Sequence, residues 1–170
     1  MKYSLILFVI IFGFSLNINA FAQTISNATV SATILQPISL LNVRDLKFGN
    51  ISAGETPGTV VLAPNEASSR IVTGGVTLPS GSGTVYSAKF IISGVDGYSY
   101  SIILPLTPIT ISNGTNFMTI DNFTSTPSGS GTFEHGSQTI CVGATLNVNA
   151  NQEAGLYQST EEFEITVSYN

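Results

Sequence analysis

Most of this chain repeats with a period of two. Ala28, Val30, Ala32 and Ile34 alternate with Thr29, Ser31 and Thr33. Successive strand side chains point to opposite sides, so such a segment carries one apolar and one polar face. The same alternation runs through Tyr86, Ala88, Phe90 and Ile92, and through Tyr98, Tyr100, Ile102 and Leu104. Ile140, Val142, Ala144, Leu146 and Val148 form a longer example. A last run, Phe163, Ile165, Val167 and Tyr169, is interleaved with Glu162, Glu164, Thr166 and Ser168. Beyond residue 22, no segment keeps a helical apolar period over three turns.

Turn chemistry falls between these runs. Asp96-Gly97 and Asn113-Gly114 are pairs that tolerate positive φ. The first predicts a β-hairpin between the Phe90 and Tyr98 strands, and the second turns residues 109–112 into 117–120. Gly74-Gly75 interrupts residues 70–78, which suggests a bulge or a change of sheet. Residues 124–138, rich in Ser, Thr and Gly, read as a mobile loop too short to link two domains. About nine to ten short strands with frequent turns predict one all-β domain, an immunoglobulin-like or Greek-key β-sandwich over residues 23–170. Residues 28–35 would be its first strand.

The opening of the chain follows a different rule. Met1-Lys2 supplies one positive charge, residues 5–16 are apolar, and Ala20-Phe21-Ala22 puts small residues at a peptidase site. This predicts a cleaved signal peptide over residues 1–22, with cleavage after Ala22. About a dozen apolar residues are too few to span a bilayer, which takes roughly 20. No integral membrane segment is expected after cleavage, and the mature chain is expected in the periplasm, at the cell surface or outside the cell.

Charge narrows the partners. Only 9% of residues are charged, and Arg44, Lys47, Arg70 and Lys89 are the only cations beyond residue 22. A chain of net charge −5 with no basic stripe is a poor match for a phosphate backbone, so nucleic acid is not an expected partner. The single cysteine, Cys141, rules out an intrachain disulfide. Its register, out of phase with Ile140 and Val142, turns it away from the core, where a neighbouring strand or loop would cover it. Left exposed, it would be an odd thiol open to intermolecular pairing.

No residue set specifies a reaction. A catalytic base needs an orienting partner and a nucleophile held beside it, and His135, the only histidine, falls in the expected loop. Glu161, Glu162 and Glu164 are the densest acidic cluster, but no Asp-rich loop accompanies them to converge oxygens on an ion. They read as a solvated strand whose charges discourage edge-to-edge pairing. There is no Trp, and Tyr86, Tyr98 and Tyr100 fall in register with core positions, so no aromatic platform for a sugar is evident. The expectation is a non-enzyme with no cofactor and no metal site.

Several segments together carry a resemblance. They include Leu46-Lys47-Phe48-Gly49, Gly74-Gly75-Val76-Thr77-Leu78, Ala88-Lys89-Phe90 and Ile103-Leu104-Pro105. Further on come Val142-Gly143-Ala144-Thr145-Leu146, Asn151-Gln152 with Gly155 and Tyr157, and the closing Ile165-Thr166-Val167-Ser168-Tyr169. In order and spacing the chain resembles the bacterial domain of unknown function 4402 family from about Ala28 onward. Its layout is more distantly similar to spore coat U-like and archaic chaperone–usher pilin subunits. That similarity implies a surface structural or adhesive subunit, pilus-like and joined by β-strand addition. Ala28, Val30, Ala32 and Ile34 would be the donor face. Phe163, Ile165, Val167 and Tyr169 would border the acceptor groove. Copies of itself or related subunits, escorted by a periplasmic chaperone, would be the partners. The disulfide typical of those pilins has no counterpart here. The alternative is a monomeric secreted binding module that recognises a glycan or protein through its loops, especially residues 124–138.

Overall fold

The computed structural model describes residues 23–170; the expected signal peptide, with Ala20 and Ala22, lies outside the described residues. Residues 35–170 hold eleven strands in two antiparallel sheets, and no helix occurs among the described residues. The first sheet is curled into a half-barrel. Side by side it carries β1 (Ser39–Arg44), β4 (Ala88–Ser93), β9 (Ser137–Val148), β7 (Phe117–Thr126), β6 (Ile109–Ser112) and β10 (Gln158–Ser159). β2 (Gly58–Leu62) pairs with β9 beyond the end of β4 and carries β3 (Arg70–Gly74) on its other side. The second sheet runs β11 (Thr166–Tyr169), β5 (Ser99–Ile103), β8 (Ser130–Thr132).

This is an immunoglobulin-like order. β1, β4, β9 and β7 stand as strands A, B, E and D of that sandwich, and β5 and β11 stand as C and F. No strand among the described residues pairs with the outer side of β11, where strand G would stand. The expected count of nine to ten is exceeded through very short pieces such as β8 and β10, which have too few residues to show a period.

β9 organises the packing. Ile140, Val142, Ala144, Leu146 and Val148 face inward and are buried, each larger side chain contributing about 1.5–3 kcal/mol. The upper half of that face joins Phe90, Ile92, Tyr100, Ile102, Phe133 and Ile165 in a core between the two sheets. The lower half joins Val60, Leu62, Val76, Ile111 and Ile120 inside the curl of the first sheet. Leu46 and Phe123 pack against both cores.

Three turn expectations resolve differently. Asn113-Gly114 makes the predicted hairpin, with Ser112 opposite Phe117 and Gly114 at φ 98°, a conformation that favours glycine. Asp96-Gly97 does turn the chain, but not as a hairpin: β4 pairs with β1 and β9, whereas β5 pairs with β11 and β8. The turn therefore carries the chain from one sheet to the other. Gly74-Gly75 ends β3, after which Thr77 bridges to Ser52.

Residues 124–138 are not a mobile loop. They contain the end of β7, all of β8 and the start of β9. Phe133 anchors them, buried between the sheets against Tyr100 and Tyr169. One aromatic side chain in the inter-sheet core outweighs the turn-prone composition around it.

Candidate functional site

The last expected strand forms an edge. β11 pairs with β5 from Thr166–Ile103 to Tyr169–Tyr100, so it is shorter than the alternation suggests. The inward phase nevertheless extends back through Ile165 and Phe163. Phe163 meets Phe90 edge-on at 6.0 Å and lies 5.3 Å from Phe123 between ring centroids. The Tyr169 hydroxyl accepts from the Val95 backbone N–H at 2.8 Å and donates to the Gln36 carbonyl at 2.9 Å, which fixes the strand end. Ile165 is buried, but Phe163, Val167 and Tyr169 are only half-buried. The inter-sheet core is thus less well covered beneath this edge than elsewhere.

The opposite sheet has its own edge strand. Among the described residues β1 is paired only with β4, and Leu40, Leu41 and Val43 on it are exposed. Residues 23–34 carry no strand, and Ala28, Val30, Ala32 and Ile34 are all exposed, Val30 and Ile34 at 98% and 96%. The alternation at 28–34 is therefore not taken up by a strand.

A cavity of about 530 Å³ lies where the chain crosses from β10 to β11. Leu104, Pro105, Pro108 and Phe163 supply its apolar lining and Glu161, Glu162 and Glu164 its acidic one. The three glutamates are exposed, and they precede β11 rather than lying on it. Among the described residues, no three His, Cys, Asp or Glu side chains stand close enough to hold a metal ion. His135 is exposed at φ 56° in the turn before β9.

Cys141 does point away from the core, and it is covered. The loop after β2 runs against the outer face of β9 at Gly143 and Cys141, with Glu66 Oε1 3.9 Å from the Cys141 sulfur, and Cys141 is 6% exposed. Glu66 on that loop is held by Lys89 at 2.7 Å and Arg44 at 3.2 Å. The hydrogen bond from Lys89 is the main reason its carboxyl sits below the usual carboxylate range. Burial pushes the Cys141 thiol up, with the Glu66 charge adding to the effect. Arg44 also donates to the Ser87 carbonyl at 3.0 Å and lies over the Tyr86 ring, 4.9 Å from its centroid. The cluster is a clasp that holds the loop down over the thiol.

Two features escape sequence reasoning. One is that loop, whose Pro-Asn-Glu run gives no sign of the strand it covers. The other is the aromatic exposure. Of the three tyrosines expected in the core, only Tyr100 is buried; Tyr86 and Tyr98 are 42% and 41% exposed. Phe117 is exposed at the start of β7, out of phase with Met118 and Ile120, and that phase was the signal that could have found it.

Compared with known proteins, the chain matches one family model, described as "Domain of unknown function (DUF4402)", over residues 38–169. Neither the curated proteins nor the solved structures contain a match.

Proposed function

This chain belongs to the DUF4402 family, and on that premise we propose that it is an exported surface structural subunit that joins to copies of itself by β-strand addition. The observation that carries the reading is the outer edge of β11, unpaired among the described residues, with half-buried Phe163, Val167 and Tyr169 beneath it. An added strand would gain main-chain ladder bonds and place alternate side chains over that thinly covered core. Residues 28–34 have the period and apolar face such a strand needs. A periplasmic chaperone would serve the same edge before assembly, since an unpaired edge over an open core invites aggregation.

Two preparations test this: residues 23–170, and the same chain without residues 23–35. The expected result is oligomers from the first and a monomer from the second, with stability recovered when a peptide of residues 28–34 is added. A longer chain that stays monomeric, together with a truncated one that unfolds and is not rescued, overturns the proposal. A second reading, a secreted binding module that acts through its loops, is favoured by one observation, the exposed Phe117 in its polar setting.

A further inference from the structure

Where β6 turns into β7, the surface forms a shallow bowl of about 340 Å³. An aromatic ring in water stands there beside a set of amides already tied together. Phe117 is 57% exposed. Asn149 Nδ2 donates to the Phe117 carbonyl at 3.2 Å and to Gln152 Oε1 at 3.0 Å. Gln152 Nε2 donates to the Tyr157 hydroxyl at 2.8 Å, and that hydroxyl donates to the Glu153 carbonyl at 2.8 Å. Asn116 Nδ2 donates to the Glu153 carboxylate at 2.5 Å, while the Asn116 backbone N–H is held by Asn113 Oδ1 at 2.8 Å.

These bonds use both N–H donors of Asn149 but leave its oxygen as an acceptor, and they use one of the two donors on each of Gln152 and Asn116. Each Asn or Gln side chain has two N–H donors and an oxygen with two lone pairs. Spare donors and spare acceptors therefore lie side by side around the bowl, ordered before anything binds. That order lowers the entropy a ligand would otherwise cost to immobilise them. A ligand that fits must offer hydroxyls able to donate and accept at neighbouring positions, and a C–H-rich face for the negative face of Phe117. A pyranose ring has both. Among the described residues the only charge lining the bowl is the Glu153 carboxylate, which disfavours an anionic sugar.

We infer that this bowl binds a neutral hexopyranose unit of a glycan, with Phe117 as the platform and the Asn116, Asn149 and Gln152 amides reading its hydroxyls. None of these residues belongs to β1, β11 or residues 28–34, so this site and strand addition fail or succeed separately.

The test is a titration of isotope-labelled residues 23–170, followed by amide resonances, with lactose, N,N′-diacetylchitobiose and methyl α-mannoside, and with glucuronate as the charged probe. At least one neutral sugar is expected to shift the resonances of residues 113–117 and 149–153 with millimolar affinity. F117A and N149A are each expected to weaken that binding by about tenfold or more. Both positions are exposed, so thermal midpoints should hardly move; should F117A misfold, N149A decides. No shift with any neutral sugar up to about 50 mM, binding of glucuronate equal to that of the neutral sugars, or shifts that survive both substitutions each overturn the inference.

Discussion

Replacing Val30 and Ile34 together by Asp separates a donor segment from a strand of the chain's own sandwich. Both side chains are almost fully exposed, so charging them should alter the stability of the monomer by no more than about 0.5 kcal/mol. In a domain of this size that is a shift in Tm of roughly 1–3 °C. In a strand-added complex the same side chains would be covered, each contributing about 1.5–3 kcal/mol. Losing both removes about 3–6 kcal/mol, before the further cost of burying two carboxylates without partners. At about 1.4 kcal/mol per tenfold, assembly weakens by roughly 100- to 10,000-fold. Sedimentation equilibrium and thermal unfolding of residues 23–170, wild type and double variant, report the two quantities independently. Lost assembly with an unchanged Tm supports the donor assignment. A Tm that falls by about 10 °C or more while the oligomeric state stays the same refutes the reasoning, because the apolar face of 28–34 would then be packed within its own domain.

Three further outcomes follow from the clasp and the sheet beneath it. Cys141 should react with a thiol reagent about a hundredfold or more slowly in the native protein than in denaturant, because it is covered and its thiolate is disfavoured; equal rates would mean that the loop does not close over it. Glu66→Gln should lower Tm at pH 7, where the depressed Glu66 carboxyl is fully ionised and bound to Lys89 and Arg44. A depressed carboxyl stabilises above its ordinary value of about 4.3 and loses that effect as pH falls through its folded value, so the gap between wild type and variant should close in acid. A gap that is constant across the acid range would show that charge is not involved. Gly143→Ala should destabilise by about 1–3 kcal/mol, a fall in Tm of roughly 3–10 °C, because the new Cβ would meet the Leu62 carbonyl oxygen and the backbone of Ala63 and Pro64; an unchanged Tm in unfolding scans would contradict the close approach.

What the sequence made legible is the set of faces, and what it hid is the set of neighbours. Period two told which side of β4, β5 and β9 turns inward, and Phe90, Ile102 and Ile140 are buried as that phase requires. The same signal says nothing of what lies across a turn. Asp96-Gly97 has hairpin chemistry, yet the strands it joins belong to different sheets. In residues 124–138 local composition spoke for a loop, while a single non-local contact, Phe133 on Tyr100, ordered it. The candidate edge was readable as a strand, but its freedom on one side was not, because an unpaired edge is a property of the whole sheet. Residues 28–34 show the converse: their alternation is as clean as that of β4, and they carry no strand. Amphipathic spacing records what a segment is able to cover, without saying whether it covers it.

The central place of β9 also sets the order in which this chain can become a protein. Its pairing partners β2, β4 and β7 all precede it, and β2 ends at Leu62 while β9 begins at Ser137. At about 5–20 residues per second, roughly 4–15 s of synthesis separate those two points. Through that interval β2 and β4 have their apolar faces made and no central strand to close on. Such non-local topology folds slowly. A change that delays closure on β9 would therefore be read in yield rather than in the stability of the finished fold.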